Sequence, residues 1–143
     1  MRILCGPDEG ASGGPTETRV GASSPLLEIS NATVRLYKAA FGRGPTHART
    51  RFAGADTVVV LLQDTMTVPE RRLAALGEHE RLRGHWLFLH KVIEDEIRAM
   101  VEEVLARPTL SLITGLDTER DVAAEVLLLA PVPEAEAQGP FPR

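Results

Sequence analysis

Aromatic residues are scarce in this sequence: one Trp, one Tyr and four Phe, or 4% of 143 residues. A core must therefore come mostly from Leu, Val, Ile and Ala. The single cysteine, Cys5, excludes an intramolecular disulfide and fits a reducing compartment. No apolar run approaches the roughly 18–20 residues that span a bilayer. Direct membrane insertion is not expected, and the chain reads as soluble and cytoplasmic. A net charge of -4 argues against a surface that binds nucleic acid throughout.

What is present suits one domain. Residues 1–24 are rich in Gly, Ser, Thr and Pro without hydrophobic periodicity and read as a disordered leader. Residues 131–143, with Pro131, Pro133, Pro140 and Pro142, read as a disordered tail. The folded part is placed at residues 25–130.

Leu26, Ile29, Thr33, Leu36, Tyr37 and Ala40 recur at helical spacing, predicting a helix over 25–41. Gly42 and Pro45 stop it. Two strands follow, at 47–53 and 56–63, around the turn Gly54-Ala55-Asp56. A helical region then spans 67–107. It opens on the capping box Thr67–Glu70 and carries an apolar stripe of Leu82, Trp86, Leu89, Ile93, Ile97, Met100 and Val104. Gly77 and Gly84 weaken its first part and predict two pieces or a bend. Strands at 109–115 and 122–130 complete the order α-β-β-α-β-β. This predicts an α+β two-layer sandwich, with a four-stranded antiparallel sheet carrying its helices on one face. The helix–Arg43-Gly44-Pro45-Thr46–two-strand stretch is faintly echoed by helix–Ala106-Arg107-Pro108-Thr109–two-strand.

Glu28-Ile29-Ser30-Asn31, Val34 through Lys38, Phe41 through Thr46 and Ala48-Arg49-Thr50 resemble the MpsC family, the third component of a Na+-translocating membrane-potential-generating system. Asp121-Val122-Ala123 and Glu125-Val126 match its closing strand. The resemblance covers about residues 28–130. It implies a non-catalytic accessory or regulatory protein tied to a membrane Na+ or inorganic-carbon transport system, with that system's subunits as partners. The sequence departs from the family pattern at Thr114-Gly115, where Ser-Asp is usual, and around Gly84-His85-Trp86. Roles at those positions are not carried over.

The candidate site is a basic, glycine-bearing segment: Arg35, Lys38, Gly42, Arg43, Gly44, Pro45, Thr46, Arg49 and Arg51. No acidic residue lies between Glu28 and Asp56. Backbone N–H groups at Gly42-Arg43-Gly44 could form an anion nest, with Arg43 and Arg49 as a clamp. The ligand would be a small anion, a nucleotide, nucleic acid or an acidic partner, although stacking aromatics for a single strand are few. A helix cap with solvated arginines is the competing reading, and the favoured one. The glycines precede a strand, unlike those of a phosphate loop.

No catalytic constellation, metal set or cofactor motif is read. His90 and Glu94 suit a surface hydrogen bond, and Asp117, Glu119 and Asp121 a solvated hairpin. Alternation places Glu125 with Ala123, Leu127 and Leu129, and it is expected to pair with Arg49 or Arg51. The long helix is expected to overhang the sheet at Trp86 and Leu89, to be covered there by residues 68–80 or, preferentially, by a second subunit in a homodimer.

Overall fold

The computed structural model describes residues 24–132. The expectations for the leader and the tail lie outside them except at Ser24, which belongs to α1 as its cap, and at Pro131 and Val132. Helix α1 (Pro25–Phe41) begins where Ser24 caps Leu27 N–H and ends at Gly42, which sits at φ 87°. Strands β1 (His47–Phe52) and β2 (Thr57–Gln63) form a hairpin. The long helical region is two helices. α2 (Val68–Ala75) starts at the Thr67–Glu70 capping box, and α3 runs over His79–Leu105. The break falls at Gly77, at φ 82°, and α3 passes through Gly84 uninterrupted. Strands β3 (Thr109–Asp117) and β4 (Val122–Leu129) close the chain. The single helical region of the expected order is thus two helices, making three in all.

The sheet is antiparallel throughout, in the order β1-β2-β4-β3. α1 and α3 pack on each other and cover one face. That face carries Val58, Val60, Leu62, Ala123, Leu127 and Leu129, all buried. α3 contributes Leu82, Trp86, His90, Ile93, Ile97 and Val101. Its buried stripe is therefore turned slightly from the expected one, with His90 and Val101 inside. Among the described residues no helix is long and apolar enough to cross a membrane.

Trp86 is not left overhanging. It is 5% exposed, lies beside Tyr37 and lines a small hollow with Phe41, Thr65, Thr67 and Glu70. The chain entering α2 thus folds back beside Trp86, which removes the reason for placing a second subunit there.

The Gly-x-Gly turn has a packing explanation. A Cβ on Gly44 would lie 2.8 Å from Val34 O and 3.2 Å from Val34 Cγ1. The turn can close against α1 only without a side chain. Gly44→Ala is expected to lose about 1–3 kcal/mol in urea unfolding. Gly84→Ala, where an added Cβ meets nothing within 4 Å, is the control expected to hold or gain stability.

Candidate functional site

The nine basic-segment residues do not converge. Arg35 and Lys38 are exposed on α1. Gly42 caps α1 through its N–H to Lys38 O, and Pro45 is buried. Arg49 and Arg51 project from the open face of the sheet, away from the helices.

Arg43 turns the other way. Its Nη1 donates to Met66 O at 2.7 Å and its Nη2 to Asp64 Oδ2 at 3.1 Å. Arg71 donates to the other Asp64 oxygen. Asp121 accepts from Thr65 N–H at 2.9 Å and from Met66 N–H at 3.1 Å. Asp121 is therefore a buried anchor, not a solvated hairpin acid. Together these bonds join the α1–β1 turn, the β2 exit and the β3–β4 turn. A depression of about 620 Å³ opens beside them, lined by Thr46, His47, Gln63, Arg71 and Arg120 among others.

Partial burial alone would raise the Asp64 pKa. Hydrogen bonds from Arg71 and Arg43, with their charges, outweigh it and hold the carboxyl below its ordinary value. A carboxyl more acidic when folded stabilises above its unfolded pKa, about 3.9, and loses that contribution as pH falls through the lower folded value. Asp64→Asn tolerates the left-handed φ of 63° here. It is expected to shallow the acid limb of the stability curve below about pH 4 relative to wild type, as read by urea midpoints.

The second cluster is in the core. Glu125 is 0% exposed. It lies opposite Val60, which lies opposite Thr50, so it faces the helices while Arg49 and Arg51 face away. The expected pairing with an arginine is overturned by this register. Glu125 instead accepts from the Tyr37 hydroxyl at 2.6 Å and the Thr114 hydroxyl at 2.7 Å, and meets His90 Nε2 at 2.5 Å. His90 is consequently buried in this cluster and not on the surface with Glu94. The Trp86 ring lies over His90, with centroids 5.2 Å apart, and Tyr37 meets Phe41 edge-on.

Burial, then the Glu125 charge, then the hydrogen bond push the Tyr37 phenol far above its ordinary pKa. Tyr37 is therefore a permanent donor. α1 supplies it, α3 supplies His90, β3 supplies Thr114 and β4 supplies the acceptor. One carboxylate thus ties together both large helices and half of the sheet. Among the described residues no group of three or more His, Cys, Asp or Glu is placed to hold a metal ion.

The model of the family described as "Na+-translocating membrane potential-generating system (MpsC)" matches residues 26–131. The chain belongs to the MpsC family. The match takes in both clusters and every element from α1 to β4. No curated protein and no solved structure matches the chain.

The open face is the third feature this MpsC chain presents. Across it run the rows Arg49–Leu61–Ala124–Gly115 and Arg51–Val59–Val126–Ile113. Ile113 is 64% and Leu128 43% exposed. The face is apolar in the middle and basic along β1, with Asp117 at the opposite edge, level with His47.

Proposed function

We propose that this chain is a non-catalytic accessory or regulatory protein of a membrane Na+-translocating, potential-generating system, working from the cytoplasmic side through protein contacts. The family match over residues 26–131 carries this reading. The geometry supports it: the titratable groups gathered by the fold are engaged with one another, whereas the open sheet face offers apolar and basic side chains outward. Arg49 and Arg51 beside Val59 and Leu61 suit an acidic, partly apolar surface on a membrane subunit. Of the basic segment, these two arginines keep the binding role, and Arg43 serves the fold.

The test is recovery of transport-system subunits on tagged full-length chain from detergent-solubilised native membranes. Wild type should bring them down, less so as salt rises. The double variant Arg49→Glu, Arg51→Glu should recover roughly tenfold less, with unchanged circular dichroism. Deleting the gene should lower the Na+-dependent membrane potential, reported by a voltage-sensitive dye. Equal recovery by wild type and double variant would remove the arginines from the interface. No recovery together with an unchanged potential would remove the accessory role.

A further inference from the structure

The two edges of the sheet differ. β1 is six residues long and carries the exposed Arg49 and Arg51, the usual protection of an edge against pairing with another chain. β3 is nine residues long, and its stretch Thr109–Leu116 holds no charge and no proline. Leu110 and Ile113 stand 56% and 64% exposed on it.

The β3 edge is closed at both ends. Ala130 N–H donates to Pro108 O, so even-numbered residues of β4 aim their backbone at β3. Their partners Ser111, Ile113 and Gly115 face inward, which leaves the N–H and C=O of Leu112 and Thr114 pointing out. Beyond them Arg98 donates to Thr109 O and Arg83 to Leu116 O. The open stretch is centred on Ile113 and is short: any strand that runs past it, the ends of a second copy's β3 included, meets both arginines.

We propose that this edge pairs with a second copy of the chain, antiparallel, about a two-fold axis at Ile113. Leu112 then lies opposite Thr114 of the second copy, and Thr114 opposite its Leu112. The two N–H groups and two carbonyls of Leu112 and Thr114 are all used. The two Ile113 side chains meet as a non-hydrogen-bonded pair, where cross-strand side chains come closest.

The helix layer agrees. α3 runs antiparallel to β3, with Arg83 at Leu116 and Arg98 at Thr109. Between them lies a depression of about 470 Å³ lined by Gly84, Leu87, Phe88 and Leu112, with Lys91 and Glu94 also on its wall. The two-fold sets the second α3 antiparallel to the first, bringing Lys91 of each copy toward Glu94 of the other. This charge exchange suits a second copy. Phe88, 70% exposed, lies along the same boundary.

The experiment uses full-length protein in sedimentation equilibrium and oxidative cross-linking. Wild type should weigh twice the 15.5 kDa chain at micromolar concentration. Ile113→Lys, which sets like charges face to face, should weaken the dimer roughly a hundredfold or more. Ile113→Val should keep it. Ile113→Cys in a Cys5→Ser background should form a covalent dimer on oxidation, because such pairs hold their Cα atoms about 4.5 Å apart, within disulfide reach. Arg51→Cys, on the opposite edge, should not. Should Ile113→Lys lose its circular dichroism, the cross-linking pair decides. A monomeric wild type overturns the proposal, as does a dimer that Ile113→Lys leaves intact and Ile113→Cys fails to link.

Discussion

Replacing Glu125 by alanine is expected to cost about 3–5 kcal/mol of folding stability, a large share of the 5–15 kcal/mol typical of a whole domain. The carboxylate is fully buried and engages Tyr37, Thr114 and His90. Alanine removes the acceptor and leaves the buried Tyr37 and His90 without the water that would otherwise satisfy them, whereas the half-buried Thr114 keeps Ala124 O within reach. A cavity adds to the loss. Tyr37→Phe removes one donor and leaves the acceptor with two partners, so its cost should be smaller, about 1–3 kcal/mol. Replacing the whole set with apolar residues (Glu125→Leu, Tyr37→Phe, His90→Leu, Thr114→Val) should recover much of the loss, since nothing polar is then stranded. Urea unfolding of the three variants checks the order. A Glu125→Ala midpoint close to that of wild type would mean that solvent enters the core and satisfies the donors, contrary to the packing.

The element order was legible because its signals are local. Gly42 ends α1, the Thr67–Glu70 box opens α2, and Gly77, one of the two glycines expected to weaken the long helical region, marks the break before α3. The candidate site was legible only in part, because its parts are far apart in sequence. Alternation grouped Glu125 correctly with Ala123, Leu127 and Leu129, but the expectation that this is the face of Arg49 and Arg51 fails. Its partners depended on strand register, which pairs Val60 with Thr50 and so turns Arg49 and Arg51 outward. A usable signal did exist. Tyr37 lies in the apolar stripe of α1, and His90 falls between Trp86 and Ile93 on that of α3. Two polar tips on two core-facing stripes require an acceptor, and Glu125 is the acid on the inward side of the last strand. Asp121 gave no such signal. Its role arises from a turn at φ 56° that aims its carboxylate at Thr65 and Met66, more than fifty residues earlier. The Gly-x-Gly turn invited a ligand reading because the close approach of Val34 to Gly44 is invisible until α1 and the turn are placed together.

Stability should fall on the alkaline side in a way that Tyr37→Phe abolishes. Tyr37 is the sole tyrosine of the chain and is 1% exposed. Burial, reinforced by the Glu125 charge and the hydrogen bond to it, raises its folded pKa far above the unfolded value of about 10. Below that value the phenol is protonated in both states and adds no slope. Above it the unfolded chain releases the proton while the folded chain keeps it. The unfolded state then binds fewer protons, and unfolding free energy drops with rising pH by up to about 1.4 kcal/mol per unit. Every other group is the same in wild type and variant, so the difference between the two curves isolates Tyr37. Tyr37→Phe should start lower near neutrality, for want of its hydrogen bond, and approach wild type as pH climbs past about 10. The same residue supplies a direct optical check. Tyrosinate absorbance should stay absent from the folded protein beyond the ordinary phenol range and appear together with loss of far-ultraviolet circular dichroism. Tyrosinate forming near pH 10 in a chain that retains its native circular dichroism would place the Tyr37 hydroxyl in solvent and dissolve its bond to Glu125.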